Sequence, residues 1–402
     1  MTGNTHVLVI GGGYAGVMAA NRLTQRDDVT VTLINPRPDL VHRVRLHQLV
    51  GGSDDAVVAY KDVLAECVRL VVDSVTRIDA AERSVTLSAG GTLGYDYLIY
   101  AVGSGSAEPS VPGASEFAYP IATLEEAQQL RGVLDATLET APVTVVGAGP
   151  TGIETAAELA EAGRTVTLVC GGVLGPYLHT SGRRSVAKRL ATLGVTVIDG
   201  SDAKVTAVTG DAVRLADGRE VRSEVTVWTV GFGVPDLAAR SGLSTDGVGR
   251  LRTNETLTSV DDARIVAAGD SAAPSGLPLR MSCLNAMPLG ARAADTVLSR
   301  LAGEQPENLH QSMYAQCVSL GRSAGIYQFA NRSDVAVRLY IDDGLGARIK
   351  EMVCKGIPKH LAGEAHKPGS FRLHRMPGGV AKRKQMLRAH RSGTPAAADQ
   401  AV

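Results

Sequence analysis

The strongest constraint on this chain is a segment that occurs twice. His6-Val-Leu-Val-Ile-Gly-Gly-Gly-Tyr-Ala-Gly-Val-Met-Ala-Ala-Asn-Arg-Leu23 has a counterpart in Pro142-Val-Thr-Val-Val-Gly-Ala-Gly-Pro-Thr-Gly-Ile-Glu-Thr-Ala-Ala-Glu-Leu159, with Gly11 and Gly147 lying 136 positions apart. Each copy reads as an apolar strand, a G-x-G-x-x-G turn, a helix of small and branched residues, and a second strand, Val29 to Ile34 in one and Thr165 to Val169 in the other. A lone turn of this kind is a weak signal, but two in strand-turn-helix-strand context specify two dinucleotide cradles. Gly11 and Gly147 permit the tight turn, Gly13 and Gly149 let the backbone approach a pyrophosphate, and Gly16 and Gly152 let helix and strand close up. The free N–H groups at each helix start, at Tyr14 and Ala15 and, past Pro150 with no N–H of its own, at Thr151, then face the phosphates.

Between the copies, Arg69 to Ile78, Ser84 to Leu87 and Tyr95 to Ala101 predict β segments, and a similar pattern returns at Val195 to Ile198, Val205 to Val208, Ala212 to Leu215 and Glu220 to Val230. Proline and glycine after each stretch predict that the chain leaves the first domain near residue 115 and comes back near 252. The expected fold class is α/β. Two Rossmann-like domains, 1–115 with 252–305 and the inserted 116–251, precede a C-terminal α+β region over 306–402. A chain of 402 residues, 44% apolar and 20% charged, has the balance of a globular protein, which sets aside disordered and collagen-like classes. Five scattered cysteines do not make a disulfide scaffold, no secretory leader precedes His6, and no apolar run reaches membrane-spanning length, so a cytoplasmic location is expected.

These residues resemble the two-dinucleotide-binding-domain flavoproteins, and within them the type II NADH dehydrogenase-like branch, over about residues 5 to 305. The resemblance rests on both glycine turns, Ala101-Val-Gly103, Gly231-Phe-Gly233, and Gly269-Asp270 before a helix expected from Ser282 to Leu301. It implies FAD at the first cradle and NADH or NADPH as co-substrate at the second. It also implies that Asp270 meets the flavin ribityl chain, that the last helix points its N-terminus with Cys283 at the flavin, and that Val75 and Arg43 belong to the flavin site. Glu154 is the implied catalytic residue, touching the nicotinamide ribose or assisting proton delivery; a plain helix-start carboxylate is the other reading. Glu158, one turn on, reads as surface, and His42, Arg43, Arg45 and His47 read equally as flavin-facing residues or as a solvated loop.

Departures from the pattern matter. Asn35 stands where the flavin copy usually has an acid, and Cys170-Gly-Gly172 stands where the nicotinamide copy would have one; this leaves NADPH open, with Arg183 or Arg184 to meet its phosphate. Cys170 itself reads as a small buried hydrophobe. No cysteine lies between Asn35 and Gly52, so disulfide-reductase chemistry is excluded, and no His/Cys cluster has metal-ligand spacing. At the last helix, Met281-Ser-Cys-Leu-Asn-Ala-Met-Pro-Leu-Gly290 departs from the quinone-reducing branch, with Met287 expected in core packing. A quinone remains the expected acceptor. An iron–sulfur or rubredoxin-like partner and a redox-sensing role resembling apoptosis-inducing factor are the alternatives, and nucleic acid enters only with the last.

The tail is charged differently from the body. Residues 345–402 carry twelve Lys and Arg against three acids, +9, so residues 1–344 carry −9 for a net charge of zero. Ile349, Met352, Val353 and Ile357, flanked by Arg348, Lys350, Lys355 and Lys359, suit peripheral contact with the inner face of an anionic membrane, docking on the protein body, or a homodimer contact. Pro368, Pro377 and Gly378-Gly379 predict an irregular arm beyond.

Overall fold

The computed structural model describes residues 4–310, 314–373 and 378–392; Pro377 and residues 1–3 lie outside them. β1 (Thr5–Ile10) runs into the first glycine turn, α1 (Tyr14–Leu23) leaves it, and β2 (Val29–Asn35) returns parallel to β1. Branched apolar residues dominate both strands because the sheet is covered on both faces. β3 (Arg69–Val72) pairs with β2, and β4 (Tyr97–Tyr100) pairs with β1. The segment expected as one strand over Arg69 to Ile78 is two: the Asp73 carboxylate accepts hydrogen bonds from the Ser74 N–H and the Ser88 hydroxyl and breaks the run, and Val75–Asp79 then opens a separate antiparallel sheet.

The second copy repeats the plan. β5 (Ala118–Pro120), β6 (Pro142–Val146), α2 (Pro150–Glu161), β7 (Thr165–Val169), α3 (Thr180–Thr192), β8 (Thr196–Ile198) and β9 (Val225–Trp228) build a parallel sheet in the order β5-β9-β6-β7-β8. The chain then re-enters the first sheet, where β10 (Ile265–Ala267) pairs with β4 to give β10-β4-β1-β2-β3. α4 (Cys283–Leu301) follows, capped by the Ser282 hydroxyl, which accepts from Leu284 N–H at 3.2 Å. It presses against α1 so closely that a Cβ on Gly290 would stand 2.1 Å from the Ala15 carbonyl oxygen. Met287 is buried in that core, as a packing residue.

β11 (Ala315–Ser319), β12 (Gly325–Ala330) and β13 (Ala336–Ile341) form an antiparallel sheet, and α5 (Asp343–His366) crosses from it back to the first domain. Buried Asn21 joins α1 to α5, its amide donating to the Leu361 carbonyl at 3.0 Å, and Arg22 pairs with Glu364 at 3.0 Å. The inward row of α5 is Gly346, Lys350, Cys354, Ile357 and Leu361, while Met352 is 65% exposed. The expected row of 349, 352, 353 and 357 is therefore rotated, and a lysine expected on the solvated side points in. Beyond it the chain is not an irregular arm throughout, because α6 (Gly379–Arg391) is a helix fastened by the buried Arg383, which grips Glu255 at 2.9 and 3.0 Å.

Candidate functional site

The first glycine turn and the helix start that follows the second open into one cavity of about 600 Å³, a size ordinary for a ligand cleft. Gly11, Gly13, Tyr14, Ala15, Asn35, Arg43, Ala101, Gly103, Gly269 and Asp270 line it from the first domain, Pro150, Thr151, Glu154 and Gly231 from the second, and Cys283 from α4. Gly16, Gly147, Gly149 and Gly152 shape the turns without reaching the wall. Val75 does not reach this cavity either; it pairs with Leu87 in the outer antiparallel sheet.

The turns show what each position requires. A Cβ on Gly16 would stand 1.8 Å from the Gly11 carbonyl oxygen, and a Cβ on Gly152 would stand 1.8 Å from that of Gly147, so in both copies the helix start sits directly on the strand end. At Gly13 and Gly149, by contrast, nothing of the protein lies within 4 Å of where a Cβ would be. Neither α1 nor α2 has a side-chain cap or an acid in its first turn, so both N-termini present free N–H groups and positive dipole ends. Open space above an uncapped helix start fits a dinucleotide pyrophosphate at each turn.

Asn35 is committed to the loop: its carbonyl oxygen accepts from Gly12 N–H at 2.9 Å and its amide donates to the Arg37 carbonyl at 2.9 Å. An acid could make only the first of these bonds. Arg43 donates to the Ser104 hydroxyl at 3.1 Å and stands 3.8 Å from Asp270, whose carboxylate accepts from Ser104 at 2.7 Å. The arginine implied at the flavin site is thus paired to the acid implied at the ribityl chain.

Glu154 lies beyond the first turn of α2 and is buried. Lys350 Nζ, from α5, sits 2.7 Å from its Oε1, Ser319 N–H donates to the same oxygen at 2.9 Å, and His47 Nδ1 is 3.7 Å from Oε2. Burial works against the charge on Glu154, but the Lys350 ammonium and His47 outweigh it and hold the carboxyl below its ordinary value. Burial likewise opposes the charge on Lys350, and Glu154 holds that ammonium well above its usual range. Lys350 also lines a second, solvent-open cleft of about 360 Å³ with Arg45, Asp54, Arg322 and Glu351. The helix-start reading of Glu154 is replaced by a buried ion pair at the cavity wall, and Lys350 is the site residue that sequence reasoning did not identify. Glu158 is not surface but buried, 2.6 Å from Arg322 and 2.5 Å from the Ser53 hydroxyl.

His42, Arg45 and His47 are buried rather than solvated. The Tyr14 hydroxyl meets His42 Nδ1 at 2.9 Å. Burial, reinforced by nearby cations, pushes both imidazoles down to about 4. Because the unfolded chain protonates them near 6.5, it binds more protons than the folded chain between these values, so stability is lost as pH falls from about 6.5 toward 4. At pH 5 the loss is about 2 kcal/mol per histidine. Melting temperatures at pH 7.5 and 5.0 should show this drop, and a smaller one in His42→Asn; an equal drop in both proteins would refute it.

Cys283, Cys317 and Cys354 all line the cavity, and every cysteine is a free thiol. Burial pushes Cys283 up to about 12 and Cys317 to about 11, which keeps them protonated and weakly nucleophilic. Among the described residues no His, Cys, Asp and Glu group could hold a metal ion.

Comparison with known proteins agrees with this geometry. Residues 5–294 match the pyridine nucleotide-disulphide oxidoreductase family. An NADH dehydrogenase-like protein of Mycobacterium tuberculosis is 31% identical over 80% of this chain and 87% of its own. The type II NADH:quinone oxidoreductase Ndh of the same organism is 29% identical over 77% of this chain and 75% of its own. Among solved structures, NDH2 from Plasmodium falciparum in complex with NADH superposes with a TM-score of 0.75 at 15% identity, over 92% of this chain and 99% of that one. Two uncapped glycine cradles facing one cavity, joined to these likenesses, lead to one statement: this chain belongs to the pyridine nucleotide-disulphide oxidoreductase family.

Proposed function

We propose that this protein is an FAD-dependent NAD(P)H oxidoreductase that takes hydride from a nicotinamide and passes the electrons to a quinone. The observation that carries the reading is the shared cavity, which lets ligands of both cradles touch. When bound, FAD supplies a hydride acceptor whose reduced form is negatively charged. Gly13 and the start of α1 would hold its pyrophosphate, and Asp270 would meet its ribityl chain. Gly149 and the start of α2 would hold the nicotinamide dinucleotide, so the protein's contribution to hydride transfer is orientation.

A quinone takes up two protons with its two electrons. Lys350 sets a positive charge at the cavity wall, kept in place by Glu154, where a quinone taking up electrons gains negative charge, and the second cleft opens the pair to solvent protons. This arrangement and the named activity of the mycobacterial relative Ndh favour a quinone over a protein acceptor. Peripheral attachment to a bilayer belongs to the same proposal: the outward row of α5 sets Leu345 and Met352, 58% and 65% exposed, among Arg348, Lys355 and Lys359. No helix among the described residues is long and apolar enough to cross a membrane.

The test is an anaerobic titration. The purified protein should be yellow, bleach with NADH or NADPH, and recover colour on adding a quinone; recovery should be faster from anionic than from zwitterionic vesicles carrying a long-chain quinone. Recovery with ferredoxin or rubredoxin alone, or with no acceptor together with DNA retention, would transfer the protein to one of the alternatives.

A further inference from the structure

The duplicated plan allows the two cradles to be compared position by position. Gly11 N–H donates to the Ile34 carbonyl, and Gly147 N–H to that of Val169, so Cys170 in the second copy occupies the place of Asn35 in the first. One strand further out, Asn35 is in register with Val72 on β3. In the second copy Val169 is in register with Ile198 on β8, and Cys170 N–H donates to the Ile198 carbonyl at 2.8 Å. The next paired position is therefore Asp199, which shares a sheet face with Cys170. Where the flavin copy has a valine, the nicotinamide copy has an acid.

The surroundings of Asp199 are those of an exposed carboxylate held for a ligand. Gly200 N–H donates to the Gly172 carbonyl at 2.7 Å, which ties its loop to the loop leaving β7. The carboxylate accepts no hydrogen bond and makes no ion pair among the described residues, so the fold does not need its charge. Residues 170–179 contain no lysine or arginine, and Asp202 adds a second acid. Arg183 is turned to the Leu178 carbonyl at 3.3 Å, and Arg184 shares an exposed row of α3 with Lys188. The strand end where a dinucleotide's adenosine ribose lies is thus negative, with the acid displaced by one strand from its customary position.

We propose that Asp199 accepts the adenosine ribose 2′-hydroxyl of NADH and turns away the 2′-phosphate of NADPH, making the enzyme NADH-selective. A carboxylate gains a charge-assisted hydrogen bond from the hydroxyl and meets repulsion from the phosphate, and the two effects add in the ratio. This rests on the reading that the second cradle takes the nicotinamide dinucleotide.

The probes are ADP-ribose and 2′-phospho-ADP-ribose, titrated calorimetrically into the flavin-loaded protein, together with the rate of flavin bleaching by NADH and NADPH before any acceptor is added. The wild-type protein should favour the unphosphorylated ligand on the order of 10-fold or more, and Asp199→Asn should bring the two within about 3-fold. Gly149→Val, which fills the cradle itself, should abolish both. An unchanged ratio in Asp199→Asn, or a wild-type preference for the phosphorylated ligand, overturns the proposal while loss of binding in Gly149→Val leaves the cradle reading standing. Full binding in Gly149→Val overturns both.

Discussion

A Gly13→Val protein is expected to fold normally and purify without colour. Gly13 has φ −76°, a conformation any residue adopts, and nothing lies within 4 Å of an added Cβ, so the fold has no reason to object. The added side chain instead fills the space above the α1 N-terminus where a pyrophosphate belongs. Losing that contact costs about 4 kcal/mol or more, on the order of 1,000-fold in flavin affinity. Gly16→Ala is the contrasting case. Its Cβ meets backbone at 1.8 Å, which cannot yield without separating α1 from β1, so folding itself should lose about 3 kcal/mol or more. Flavin absorbance and a urea midpoint for each variant check the pair. Retained colour in Gly13→Val would remove the cofactor from this cradle.

The second large effect concerns the ion pair. Lys350→Met leaves Glu154 charged and buried with its main partner gone, and removing one member of such a pair costs about 3–5 kcal/mol. Glu154→Gln should cost a similar amount through the stranded ammonium. The double variant should recover most of the loss, because neither charge then remains, and the cycle isolates the coupling. Turnover should not recover with stability: bleaching by NADH should persist in the double variant, while quinone-driven reoxidation slows on the order of 10-fold or more, as the positive charge facing the reduced quinone is lost. A Lys350→Met protein as stable as wild type, or a double variant that reoxidises at full rate, would exclude the pair from this role.

The parts of the molecule readable in advance were those whose signal is local. A glycine turn between a strand and a helix carries its own geometry, and so does the Ser282 cap that starts α4. Asp270 and Gly269 reach the cavity because a strand end delivers them there. What stayed hidden depends on partners distant in the chain. Lys350 meets Glu154 across 196 positions, and a polar residue on the inward row of a helix is invisible to any apolar pattern. The row 346, 350, 354, 357 and 361 has helical spacing, but nothing near Lys350 in the chain marks it as the counter-charge of Glu154. His42 and His47 stayed divided between a flavin-facing and a solvated reading for the same reason: their cover comes from the C-terminal segment, whose Lys350 and Arg322 lie beside His47.

The stretch matching the family ends at residue 294, whereas Lys350 arrives on α5 from beyond it. On the proposed reading, the cradles that take up reducing equivalents and the lysine that serves their release stand on different portions of the polypeptide. A change confined to the trailing portion would then alter which oxidant is served and leave the harvest of reductant in place.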